Sequence, residues 1–267
     1  MADLAAAGFR PTAAGGALLS GAAAALFEGW ARYLPHLLRP HYTATVRAPL
    51  LLEPGVLRAA RYPDHFPQHM FVARGTLDGA AETRYLTPAA CYHVYPLLRG
   101  GAVGDGPDAR FVTARCARFE AGEWEFPFRL ADFQMAELVV VGPEATLDRL
   151  RAEVESALGA AFGRLGVVGR FEPATDAFFL GDDDGARLIQ KLKGLKREFV
   201  AHVGDRRVAL ASLNNHESYF GRCFDIRTGD GGPASSFCAA FGVERLTAYG
   251  LLAWGPDARD WPDELRS

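Results

Sequence analysis

Residues 117–142 read ARFEAGEWEFPFRLADFQMAELVVVG, and their reading decides the fold. Side chains alternate across a strand, so a strand over Phe111–Glu120 puts Cys116, Arg118 and Glu120 on one face and Phe119 on the other. Ala121–Pro127 carries turn residues, and Phe133–Gly142 is apolar enough for a second, largely buried strand. The pair reads as two long strands joined by a loop. Glu137 then enters an apolar strand, where an unpartnered carboxylate is costly.

Working outward, Pro143 opens a helix over about Glu144–Phe162, with Leu147, Leu150, Val154 and Leu158 near one face. Phe171–Leu180 is short and apolar. Asp182, Asp183 and Asp184 precede an expected helix over Ala186–Phe199, and strands are expected at Arg207–Leu213 and Tyr219–Ile226. A last helix follows Phe241 and carries Glu244, Arg245, Tyr249 and Leu252. Towards the N-terminus, an Ala-rich helix in the first forty residues should end at Pro35 and Pro40. A strand over Tyr42–Leu52, a short helix over Glu53–Ala60 and a loop over Tyr62–Pro67 follow. Short strands are expected at Met70–Ala73 and Cys91–Tyr95, before a glycine-rich loop over Gly100–Asp108. Strands and helices interleave without regular alternation, which predicts an α+β fold around a mixed or antiparallel sheet rather than a Rossmann fold. No GxGxxG, Walker A or HExxH pattern occurs, and residues 1–267 read as a single domain.

Composition narrows the function classes. Hydrophobic residues are 49% and charged residues 23% of 267, an ordinary globular balance. The net charge of −3 gives no support to bulk nucleic-acid binding. No apolar run reaches about 18 residues, so no membrane span is expected. Residues 13–27 are apolar like a secretory signal, but Asp3 and a single cation, Arg10, precede them. Phe27, Trp30, Tyr33 and Leu34 extend the run at helical spacing. Four scattered cysteines, at 91, 116, 223 and 238, suit a reduced cytoplasmic protein rather than a disulfide scaffold.

Three groups of residues could carry chemistry. Arg118 and Glu120 could pair at a surface, or Arg118 could grip a phosphate while Glu120 accepts from an amino group. Cys91, Glu137 and Cys238 could bind zinc with one position open, or each cysteine could be a small buried residue. Lys191, Lys193, Lys196 and Arg197 lie off the apolar stripe of the expected helix. They suit a well-terminated surface helix or a basic docking edge for an acidic protein, within residues 182–202.

In order, these pieces resemble the catalytic domain of a class II aminoacyl-tRNA synthetase of the seryl branch. Arg118, Glu120 and Phe133 are similar to its second signature motif, and AFGVERL, with Gly242, Glu244 and Arg245, to its third. Ala240 stands where the first glycine of that motif is usual, and Pro49 is a possible match to the first motif. Within the branch, the chain resembles the amino acid:[carrier protein] ligases, truncated homologues of atypical archaeal seryl-tRNA synthetases. That resemblance implies a zinc triad of Cys91, Glu137 and Cys238, and an amino acid pocket at Asn214 or Asn215 with His216. It implies Arg118 on the α-phosphate, Glu120 and Phe133 on adenine, and Arg245 on adenine or the γ-phosphate. It further implies ATP with Mg2+, glycine or alanine as substrate, an acidic phosphopantetheinylated carrier and a homodimer. Many synthetases hold the metal with an acid on the strand before the Asn segment, but RVALASLNN has none. The length leaves little chain for a tRNA-gripping domain, so tRNA is not the expected acceptor. Transfer to tRNA or a small molecule, or a non-catalytic amino acid sensor, are the alternative readings.

Overall fold

The computed structural model describes residues 3–266 apart from 78, 105, 120–123 and 175–193. A small hairpin, β1 (Phe9–Pro11) with β2 (Ala17–Leu19), leads into α1 (Gly21–Leu37). Leu26, Trp30 and Leu34 recur at helical spacing along α1 and are fully buried. Pro35, expected to end this helix, lies in its last turn. Pro35 has no N–H to donate, and at this position the lost bond falls near the end of the helix.

The expected strand over residues 42–52 divides into β3 (Ala44–Arg47) and β4 (Leu51–Leu52), which join different sheets. α2 (Pro54–Ala59) forms as expected, and α3 (Tyr62–His65) turns what reads as loop into one helical turn. β5 (Val72–Leu77) pairs with β6 (Ala80–Leu86), a strand that AAETRYL hides because its mostly exposed residues lack apolar alternation. The expected strand at Cys91–Tyr95 is instead a 3-10 turn over Ala90–His93 followed by α4 (Tyr95–Leu98). Pro96 sits in the first turn of α4, where its missing N–H costs nothing, and it has no donor for a sheet ladder.

β7 (Asp108–Ala117) and β8 (Asp132–Gly142) form the long antiparallel pair, and α5 (Glu144–Arg164) follows. Next come β9 (Gly169–Pro173), β10 (Lys196–Val203) and β11 (Arg206–Glu217). The helix expected over Ala186–Phe199 is thus overturned at Lys196–Phe199, which are strand; residues 182–193 lie outside the described residues. Phe199 and Ala201 are buried at alternate positions, and β10 bonds to neighbours on both sides, so the ladder decides this stretch. The strand expected at Tyr219–Ile226 is a helix, α6 (Tyr219–Phe224). β12 (Ser235–Gly242) and α7 (Val243–Trp254) complete the core.

Seven strands run in the order β3-β7-β8-β12-β11-β10-β9, all antiparallel except β3 beside β7. The architecture is α+β with a mixed, mostly antiparallel sheet flanked by helices. Alternation separates its two faces. Phe111, Leu138, Val140, Phe237 and Phe241 pack with α1, α5 and α7, while Val112, Cys116, Val139 and Cys238 pack with α2, α3, α4 and α6. Glu137 belongs to the second face by its place between Met135 and Val139, so that face carries the chemistry.

Gly221 brings α6 against this face. A Cβ there would lie 2.0 Å from the Ala234 carbonyl oxygen, which is backbone and cannot swing aside. Gly221→Ala should lower stability by about 1–3 kcal/mol, the usual cost of overpacking, measured by urea denaturation. An unchanged midpoint would mean α6 has room to shift.

Candidate active site

β7 ends at Ala117, so Arg118 continues its alternation just beyond the ladder, and Glu120 lies outside the described residues. The Arg118 N–H still donates to the Ala131 carbonyl at 2.8 Å, and its Nε donates to the Pro88 carbonyl at 2.8 Å. Its guanidinium carbon stands 5.2 Å from the centroid of the Phe133 ring. Phe119 points away, edge-on to Phe71.

Glu244 and Arg245 occupy the first turn of α7. Arg245 Nε donates to the Phe128 carbonyl at 2.9 Å and Nη1 to the Ala209 carbonyl at 3.0 Å, tying the loop before β8 to β11. Glu244 is buried and accepts from Arg115 Nη1 at 2.6 Å and from the Gln134 N–H at 2.8 Å. Burial pushes its carboxyl up, against the pull of Arg115. Arg115, which also pairs with Asp132 at 2.5 Å, escapes sequence reading; a cation inside a mainly apolar strand was the available signal.

Cys91 comes from the 3-10 turn, Glu137 from β8 and Cys238 from β12, where Cys238 is opposite Val139 and Ala240 opposite Glu137. Glu137 Oε1 accepts from the Ala90 N–H at 2.9 Å. Its Oε2 is buried with no partner at hydrogen-bond geometry, although the Cys91 thiol is beside it. The hydrogen bond to Cys238, burial and the Glu137 carboxylate together hold the Cys91 thiol well above its ordinary range. Burial likewise raises Glu137, against the Ala90 N–H and Arg118.

Asn214 Nδ2 donates to Cys238 Sγ at 3.3 Å, and Asn214 Oδ1 is a second buried acceptor without a partner. His216 is buried, with Nδ1 3.1 Å from Ser236 Oγ and Nε2 3.9 Å from Cys238 Sγ; burial lowers its pKa to about 3. Asn215 is placed otherwise: its Oδ1 accepts from the Glu217 N–H at 3.0 Å, and strand alternation sends Asn214 and His216, not Asn215, to the cavity. Among the described residues, no group of three or more His, Cys, Asp or Glu side chains is placed to hold a metal ion.

Of the four cations of the expected docking edge, the two described ones, Lys196 and Arg197, do not share a face. Lys191 and Lys193 lie outside the described residues. Lys196 turns into the cavity and pairs with Glu198 at 3.1 Å, while Arg197 turns to the other face and pairs with Glu155 of α5 at 2.9 Å. Adjacent strand residues face opposite sides, so these two cannot share a surface.

A cavity of about 250 Å³ joins the parts. Arg118, Phe133, Lys196, Glu198 and Arg245 line it together with Cys91, Glu137, Cys238, Asn214 and His216. Tyr62, Tyr92 and Phe220 wall the cysteine corner with aromatic rings in edge contact. Among the described residues no helix is long and apolar enough to cross a membrane.

No family model matches the chain. The amino acid–[acyl-carrier-protein] ligase 1 of Bradyrhizobium diazoefficiens is 32% identical over 184 residues, 68% of this chain and 56% of that protein. The chain therefore spans about half the length of this curated relative. Among solved structures, the M. kandleri SerRS in complex with A. aeolicus tRNASec superimposes with a TM-score of 0.84 over 96% of this chain and 57% of that one, at 19% identity. The seryl-tRNA synthetase of Pyrococcus horikoshii, complexed with ATP, gives a TM-score of 0.72 over 95% and 56%, at 16% identity. The chain is a homologue of the proteins named amino acid–[acyl-carrier-protein] ligases, built on the catalytic fold of the class II aminoacyl-tRNA synthetases.

Proposed function

We propose that this cavity activates a small amino acid with ATP and hands it to the phosphopantetheine thiol of an acidic carrier protein. One observation carries the reading: the Arg118, Phe133 and Arg245 set opens on the same cavity as the Cys91, Glu137 and Cys238 corner. An amino acid bound in that corner has its carboxylate directed towards a nucleotide bound among the arginines.

In the first step a carboxylate oxygen attacks the α-phosphorus, forming an aminoacyl-adenylate and releasing pyrophosphate. Arg118 holds the α-phosphate and stabilises the charge gathering on its oxygens, a task that suits a fork of donors preorganised by the Pro88 carbonyl and the Phe133 ring. Phe133 offers an adenine-sized ring face, with Glu120 on the exocyclic amine and Arg245 on the opposite face or the γ-phosphate. Lys196 adds a cation for the phosphates. In the second step the carrier thiol, as thiolate, attacks the adenylate carbonyl and AMP leaves. No cysteine of this chain acts as nucleophile.

By donor type the cysteine corner suits zinc, with the Cys91 thiol beside both Cys238 and Glu137, although the three side chains are not already placed as a ligand set. When bound by Cys91, Glu137 and Cys238, the ion would offer an open position to the neutral amine of the substrate. Asn214 Oδ1 is an acceptor for the N–H groups of that amine, and His216 stays neutral beside it. The substrate proposed is the small amino acid that the resemblance implies, glycine or alanine, bound where the Tyr92 and Phe220 rings wall the corner. A homodimer and a cytoplasmic location belong to the same proposal.

The test is ATP–pyrophosphate exchange with each of the twenty amino acids, with metal content measured on the same sample. Exchange with one or two small amino acids and about one zinc per chain is expected. Absence of exchange with all of them overturns activation of a standard amino acid, and exchange without zinc overturns the metal.

A further inference from the structure

RVALASLNN, the β11 stretch that lines the nucleotide end of the cavity, contains no acid, yet a bound triphosphate comes with a divalent cation. Magnesium keeps several waters and needs only one or two carboxylates besides the phosphates. Three carboxylates line the cavity among the described residues: Glu137, Glu198 and Glu244. Glu137 is committed to the cysteine corner by the Ala90 N–H and the Cys91 thiol. Glu244 has one oxygen on Arg115 and the other on the Gln134 N–H, and both bonds brace β8 against α7.

Glu198 remains, and its position suits the task. It lies on β10 directly opposite Ser212 of β11, so a carboxylate and a hydroxyl stand side by side on the cavity wall. Both are hard oxygen donors of the type magnesium takes. Ser212 Oγ accepts from Asn214 Nδ2 at 3.1 Å, which steadies the hydroxyl. Arg245 reaches the Ala209 carbonyl on the same strand, so the site borders the arginine held for the phosphates. Lys196, 3.1 Å from Glu198 and largely buried, balances the carboxylate when no nucleotide is present. For a cation to sit beside Glu198, Lys196 must turn from it to the incoming phosphates.

We infer that Glu198, with Ser212 beside it, is the protein carboxylate for the divalent cation carried by ATP, supplied from β10 where β11 lacks an acid. The inference rests on the reading of the cavity as an ATP site. It is tested by calorimetric titration of the full chain with ATP, with and without Mg2+, and by Mn2+ paramagnetic resonance in the presence of ATP. In the unaltered protein Mg2+ should tighten ATP binding. Glu198→Gln should reduce that enhancement about tenfold or more, the scale for losing a partner of a bound ion, and leave metal-free ATP affinity equal or improved. Glu198→Asp, which keeps the charge and shortens the reach, should lie between and serves if Glu198→Gln does not fold. Undiminished Mg2+ enhancement and an unchanged Mn2+ signal in the folded variants overturn the role of Glu198 alone. An unaltered chain that binds no ATP in either medium overturns the ATP reading, and this inference with it.

Discussion

Arg118→Ala is expected to lower amino-acid-dependent ATP–pyrophosphate exchange by about 10²- to 10³-fold, the range for removing one donor aimed at developing charge in a preorganised site. The expected loss is in turnover more than in ATP affinity, because the α-phosphate gains charge as the new bond forms and the guanidinium answers that gain. Arg118 also braces its surroundings, through Nε to the Pro88 carbonyl and its stacking on Phe133, so the alanine variant needs a control. Arg118→Lys keeps a cation but loses the planar fork, and an intermediate activity is expected of it. Far-ultraviolet circular dichroism should be the same for all three proteins, since the Arg118 backbone N–H to the Ala131 carbonyl survives both changes. Unchanged exchange in Arg118→Ala would sink the assignment of this arginine.

Cys238→Ala is expected to leave the purified chain without zinc and to reduce exchange by about a hundredfold or more, as loss of a metal's direct ligand should exceed the 10–100-fold typical of outer partners. The physical ground is local. Cys238 is buried in the middle of β12, bonded on one side to the Cys91 thiol and on the other to Asn214 Nδ2. Replacing it leaves Cys91 and Glu137 as two donors, too few for a structural or catalytic zinc site. The strand itself should persist, because β12 is held by backbone ladders to both β11 and β8 that ignore the side chain. One zinc per chain retained by Cys238→Ala would show that the ion, if present, is held elsewhere.

The legible part of this protein was the part governed by neighbours in sequence. The strand expected at Phe111–Glu120 announces itself by alternation, its partner at Phe133–Gly142 by a continuous apolar run, and the helix from Glu144 by its apolar spacing. The motifs at Arg118 and Glu244–Arg245 are short and ordered, so they could be read directly. The errors cluster where tertiary pairing overrides local preference. Cys91–Tyr95 alternates like a strand but sits beside prolines and finds no ladder, so it coils. Tyr219–Ile226 offers enough aromatics for a strand, yet its rings pack on Tyr95 and His216 and a helix presents them.

The sequence by itself determined the α+β class, the long central strand pair and a set of candidate residues, most of which line the cavity, because hydrophobic periodicity and residue type are local properties. Only the tertiary structure decided where those residues meet. Cys91 and Cys238 are far apart in the chain, and it is the pairing of β12 with β8 and the turn before α4 that bring them to Glu137. Strand parity at β11 sends Asn214 rather than Asn215 to the cavity, and strand formation at β10 places Lys196 on the cavity wall. A strand reverses the face at every residue, so one change of secondary structure reassigns a side chain from solvent to site.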